Sequence, residues 1–167
     1  MVAYRTATTR RVELTGRLDV ALSSFGFEAR DLGSSPCAVE IAGAWVRKTW
    51  NTNRGVVHLC APPGAEDLGE IAQEIKMPLG KALGYFPFFY GMGLQVVWSG
   101  EDILERASLL DRAVDSVDNQ RCIVQSLFAV DFTQDRYREA RTWGQVITGK
   151  FQDAITSCLD EAFVAEP

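Results

Sequence analysis

The one histidine of this 167-residue chain, His58, stands two residues before Cys60. On an extended strand that spacing points both side chains to one face, as a metal-ligand pair or an imidazole-activated thiolate requires. Two ligands fall short of a zinc site, which takes three or four, so Cys37 or Cys122 would have to join from neighbouring strands. The plainer reading is a histidine half buried in a sheet beside a cysteine that acts as a small core residue. No metal and no cofactor is expected.

Cys60 also precedes a glycine-containing loop and a helix start, an order that invites comparison with the phosphate-binding cysteine loop of protein tyrosine phosphatases. That loop ends in an arginine six residues after its cysteine, and this chain has Glu66 there. Glu66 and Asp67 instead fill the positive field that an anion would use at the helix start. Neither the glycine fingerprint of dinucleotide-binding folds nor the P-loop pattern occurs.

Asp131, Asp135 and Glu139 follow one another at spacings of four, interleaved with Arg136, Arg138 and Arg141. Carboxylates gathered at a strand end would suit acid–base or Mg²⁺ chemistry if one had a raised pKa. From this comes the second functional expectation, a small hydrolase or metal-assisted phosphodiester-cleaving enzyme using Asp131, Asp135 and His58, with Cys60 as a further catalytic candidate. A solvated helix face with Asp135 in its first turn accounts for the same residues more simply.

Trp45, Arg47, Lys48, Trp50 and Arg54 mix rings with positive charge, a combination used by single-strand nucleic-acid platforms. Trp45 and Trp50 are five apart, however, and face opposite sides of a regular strand, so one belongs to the core. The net charge of −5 would repel phosphate backbones, and nucleic acid is not an expected partner. The charge is uneven: residues 1–54 carry +3 and residues 55–167 carry −8.

The densest feature is aromatic. Tyr85, Phe86, Phe88, Phe89 and Tyr90 surround Pro87 inside an uncharged stretch from Ala82 to Gly100. On an extended segment the rings divide between two faces, so a core that covers one face leaves rings over. Leftover rings on a globular protein are usually covered by a partner or a second copy. Pro87 and the glycines 84, 91 and 93 break the stretch, so a membrane-spanning helix is not expected.

These residues must be positioned by a fold that 167 residues with 47% hydrophobic and 23% charged side chains can supply as one domain. Leu14, Leu18, Ala21 and Phe25 predict a helix over about 8–25 closed by Gly26. Ala38 to Trp50 and Val56 to Cys60 predict two strands joined by a hairpin loop at 51–55. Leu68, Ile71, Ala72 and Ile75 predict a helix that Pro78 stops or kinks. Met92 to Trp98 alternate as a strand, Ser99 and Asp102 suggest the cap of a helix over 101–117, and Arg121 to Phe132 reads as a central strand. From Tyr137 onward, helical spacing continues for 25 residues.

The expected fold is therefore α+β: a mixed sheet of four to five strands with one β-hairpin and packed helices, in the order α-β-β-α-β-α-β-α, forming a single globular domain over residues 1–167. The helix–hairpin–helix order and the acidity bear a coarse resemblance to secretion chaperones. The helix expected at 101–117 departs from that pattern, and no property is carried over. Four dispersed cysteines and no apolar run behind Arg5, Arg10 and Arg11 fit reduced thiols in the cytoplasm. The first functional expectation is a small acidic cytoplasmic protein-binding module, an adaptor, chaperone or immunity-like protein. It would use Tyr85, Phe86, Phe88, Phe89 and Tyr90 for a protein partner or a homodimer seam.

Overall fold

The computed structural model describes residues 6–33, 36–50, 52–86, 91–105, 122–141 and 145–166. Its centre is a mixed sheet whose seven strands lie side by side in chain order: β1 (Glu28–Ala29), β2 (Ile41–Arg47), β3 (Thr52–Cys60), β4 (Gly91–Gly100), β5 (Cys122–Asp131), β6 (Arg136–Arg141) and β7 (Val164–Ala165). β1, β2 and β3 are antiparallel, β3, β4 and β5 are parallel, β6 runs back against β5, and β7 is parallel to β6. The architecture is α+β, with more strands than the four or five expected and in a different order. The two additional edge strands have only two residues each, too short to leave a periodic signal.

Three helices among the described residues cover the sheet: α1 (Ala7–Ser24), α2 (Leu68–Ala82) and α3 (Gln145–Asp160). Leu14, Leu18 and Leu22 recur every four residues, so one stripe of α1 is apolar. That stripe packs with Ile155 and Leu159 of α3 onto Trp45, Val56, Val97, Phe128 and Val130. The alternate positions of the same strands, Val57, Leu59, Leu94, Val96, Leu127 and Ala129, meet Leu68, Ala72, Ile75 and Leu79 of α2. β4 and β5 are thus buried on both faces, which explains their near-continuous apolar sequence. Each fully buried leucine contributes about 2–3 kcal/mol. No helix among the described residues is long and apolar enough to cross a membrane.

Local chemistry sets the boundaries. The hydroxyl of Thr6 accepts from the N–H of Thr9 to cap α1, and Gly26 takes a positive φ of 78° to close it. Asp67 caps α2 through the N–H of Glu70 at 2.8 Å. Pro78 neither stops this helix nor marks its end, because α2 continues to Ala82. The carbonyl that loses its N–H partner belongs to Glu74, on the exposed side.

The hairpin is present, but Arg47 already pairs with Arg54, so Arg54 and Gly55 belong to β3 rather than to the loop expected at 51–55. Thr49 holds the turn, its hydroxyl bonded to both the N–H and the carbonyl of Thr52. Gly55 lies inside β3, where a Cβ would come within 2.8 Å of Leu83 and Leu94. Its role is close packing rather than turning.

Two other expectations are corrected. Residues 136–141 form β6 instead of the start of a long helix, because Asp131–Asp135 makes a turn that returns the chain along β5. Ser99 does not cap a helix: β4 runs through it, its hydroxyl is engaged elsewhere, and Asp102 has φ 53°. Residues 106–121, which hold most of the helix expected at 101–117, lie outside the described residues.

Candidate functional site

His58 and Cys60 do share a face of β3, beneath α1. His58 is fully buried rather than half buried. Thr15 of α1 donates its hydroxyl proton to the carbonyl oxygen of Arg11 at 2.9 Å. Its oxygen therefore receives the Nδ1–H of His58, also at 2.9 Å, which leaves Nε2 to accept from the hydroxyl of Ser99 at 2.7 Å. Both ring nitrogens are satisfied in the neutral form. Burial, aided by the charge of Arg11, lowers the pKa of His58 to about 3.

A serine hydroxyl bonded to an imidazole is the beginning of a nucleophile–base pair. Here Ser99 is fully buried, and Thr15 occupies the place where a carboxylate would orient the ring. An imidazole with a pKa near 3 is a poor base at neutral pH. The Ser99–His58 contact spans 41 residues, and only the alternation of β4 hinted that Ser99 faces the same side as Val97.

Burial, opposed by Arg11 and reinforced by Glu40, pushes the Cys60 thiol up to about 11, away from nucleophilic thiolate chemistry. All four cysteines carry thiols rather than disulfides. Among the described residues no three His, Cys, Asp or Glu side chains gather as a metal site would need.

The carboxylates 131, 135 and 139 are not brought together. Asp131, fully buried, accepts from the backbone N–H groups of Thr133 at 2.8 Å, Gln134 at 3.1 Å and Leu104 at 3.2 Å. It fastens the β5–β6 turn to the segment after β4. Asp135 does not stand in a helical first turn; it sits exposed in the β5–β6 turn with φ 53° and pairs with Arg10. Glu139 faces α3, accepting from Arg141 at 2.6 and 3.1 Å and from Gln152.

Two open grooves flank α1. One of about 840 Å³ lies between α1 and α3, bordered by Arg17, Val20, Phe25, Asp153 and Cys158. The other, about 680 Å³, lies between α1 and β2 beside Arg11, Asp19, Glu40 and Trp45. Trp45 is core, donating its indole N–H to Asp19 at 2.7 Å.

Trp50 and the described part of the aromatic segment lie at one end of the sheet. Trp50, just before β3, is 88% exposed, and Phe86, on the approach to β4, is 57% exposed. Thr52 pairs with Gly91 at the start of these parallel strands, and Asn53 donates to the carbonyl oxygen of Gly84 at 3.0 Å, tying the approach segment to β3. Tyr85 packs half buried against the α2-side core. Pro87, Phe88, Phe89 and Tyr90 lie outside the described residues. Beside this end, Arg47 and Arg54 each place a guanidinium over Phe151 of α3. Comparison with known proteins finds no matching family, no similar curated protein and no similar solved structure.

Proposed function

We propose that this chain is a small acidic protein-binding module of the cytoplasm, an adaptor, chaperone or immunity-like protein. Its contact surface is the sheet end that carries Trp50 and Phe86, together with the rest of the aromatic segment, Tyr85, Phe88, Phe89 and Tyr90. The observation that carries this reading is the exposure of Trp50, 88%, at the same end of the sheet as a second exposed ring, Phe86. Large aromatic rings dominate interface energetics, and tryptophan is the residue most enriched among binding hot spots. The thiol state of the four cysteines fits a reducing compartment.

The catalytic alternative has weaker support, because Asp131, His58 and Cys60 are each buried in structural contacts and Asp135 stands apart at the surface. The test combines sedimentation velocity at micromolar concentration with binding of an apolar fluorescent dye. Association or dye binding that is lost in the W50S/F86S variant supports the reading. A wild-type chain that is purely monomeric and binds no dye overturns it.

A further inference from the structure

Arg47 and Arg54 are direct partners across the β2–β3 hairpin, an arrangement of like charges that works against the sheet. Their guanidinium carbons lie 4.9 and 5.2 Å from the centroid of one ring, Phe151. Arginines 10, 11, 17, 30, 138 and 141 each have a carboxylate within hydrogen-bond or ion-pair reach. Among the described residues neither Arg47 nor Arg54 has one. In a chain of net charge −5 carboxylates are in surplus, so this pair is not left over for want of acids. Burial and the charge of Arg47 lower the pKa of Arg54, the mark of a cation held close to another.

The surroundings fit a ligand oxygen. Arg47 uses one N–H on the carbonyl oxygen of Phe25 at 2.7 Å, and Arg54 reaches Gln125 Oε1 at only 3.4 Å, so most of both donor forks remains open. Gln125 lies over Gly93, the Cα partner of Arg54 on β4, where a Cβ would meet Oε1 at 2.4 Å. Further along the same face, Gln95 and Ser126 are partners across β4 and β5. Both are almost fully buried, and the Ser126 hydroxyl, which has no hydrogen-bond partner, is a donor that suits an anion.

We propose that Arg47 and Arg54 form an oxyanion-binding site at the hairpin end of the sheet, which takes a phosphate or a carboxylate group. Guanidinium forks match the paired oxygens of both groups, and a bound anion relieves the repulsion between the two arginines. The group comes either from a free ion or from an acidic polypeptide.

The test follows the side-chain N–H resonances of Arg47 and Arg54 while the full chain is titrated with inorganic phosphate and, separately, with an oligoglutamate peptide. Saturable shifts are expected, weakened at least about tenfold in R47Q and in R54Q, partly retained in R54K and unchanged in K48Q. Phosphate binding at least as tight as the peptide assigns the site to a free ion. Peptide binding about tenfold tighter assigns it to a polypeptide carboxylate. No saturable shift with either probe, or wild-type binding in R47Q and R54Q, overturns the proposal. Phosphate binding is unchanged in W50S/F86S, so failure here and failure of the aromatic surface are separate results.

Discussion

His58 is the only imidazole in the chain, so its ionisation can be read in the stability of the whole protein. Its pKa is about 3 in the fold and returns to about 6.5 when the chain unfolds. Between these values the unfolded chain binds a proton that the folded chain refuses. Stability therefore falls as the pH falls through about 6.5 towards 3. Each pH unit in that window is worth about 1.4 kcal/mol. At about pH 4.5 the loss relative to neutral pH is roughly 2–3 kcal/mol, rising to about 4–5 kcal/mol by pH 3.

Carboxylates titrate over the same range, and the H58Q variant removes their share, since glutamine bonds to Thr15 and Ser99 without ionising. Urea unfolding of both proteins at about pH 7.5 and about pH 4.5 gives the comparison. The wild type is expected to lose about 2–3 kcal/mol more than H58Q. The same pH dependence in both, or a His58 ring that titrates near pH 6.5 in the folded protein, refutes the argument.

Three further outcomes follow from contacts described above. Asp131→Ala strands three backbone N–H groups and is expected to destabilise the fold by about 3–5 kcal/mol in urea unfolding, with Asp131→Asn losing less. Cys60, buried and with its pKa at about 11, is expected to react with a thiol probe at neutral pH far more slowly than a model thiol, and the rate is expected to rise on unfolding. Gly43→Ala places a Cβ 2.5 Å from the ring of Trp45 and 3.0 Å from Thr15, so overpacking by about 1–3 kcal/mol is expected, measured as a lower Tm.

Local periodicity made α1, the hairpin, β4 and β5 legible in the sequence, because in each the spacing of apolar residues matches the face that is buried. β6 was not legible. Tyr137 and Ala140 are three apart, a spacing that fits one face of a helix, whereas in β6 they point to opposite faces of the sheet; pairing with β5 decides it. Pro78 and Gly55 misled for the same reason: their usual local meaning is overridden by an exposed carbonyl in one case and by close packing in the other.

The site residues divide in the same way. That His58 and Cys60 share a face could be read from their spacing. The Thr15–His58–Ser99 chain joins three distant elements and leaves no local trace. The mixture of rings and cations in the hairpin was visible, and the assignment of Trp45 to the core and Trp50 to the surface came from the packing of α1 against β2.

The most direct test of the account is quantitative affinity capture from the native cell, comparing the wild-type chain with a folded W50S/F86S variant. The protein captured by the wild type is expected to fall by about tenfold or more with the variant, as loss of an aromatic hot spot implies. Capture of the same protein at undiminished yield by W50S/F86S would contradict it.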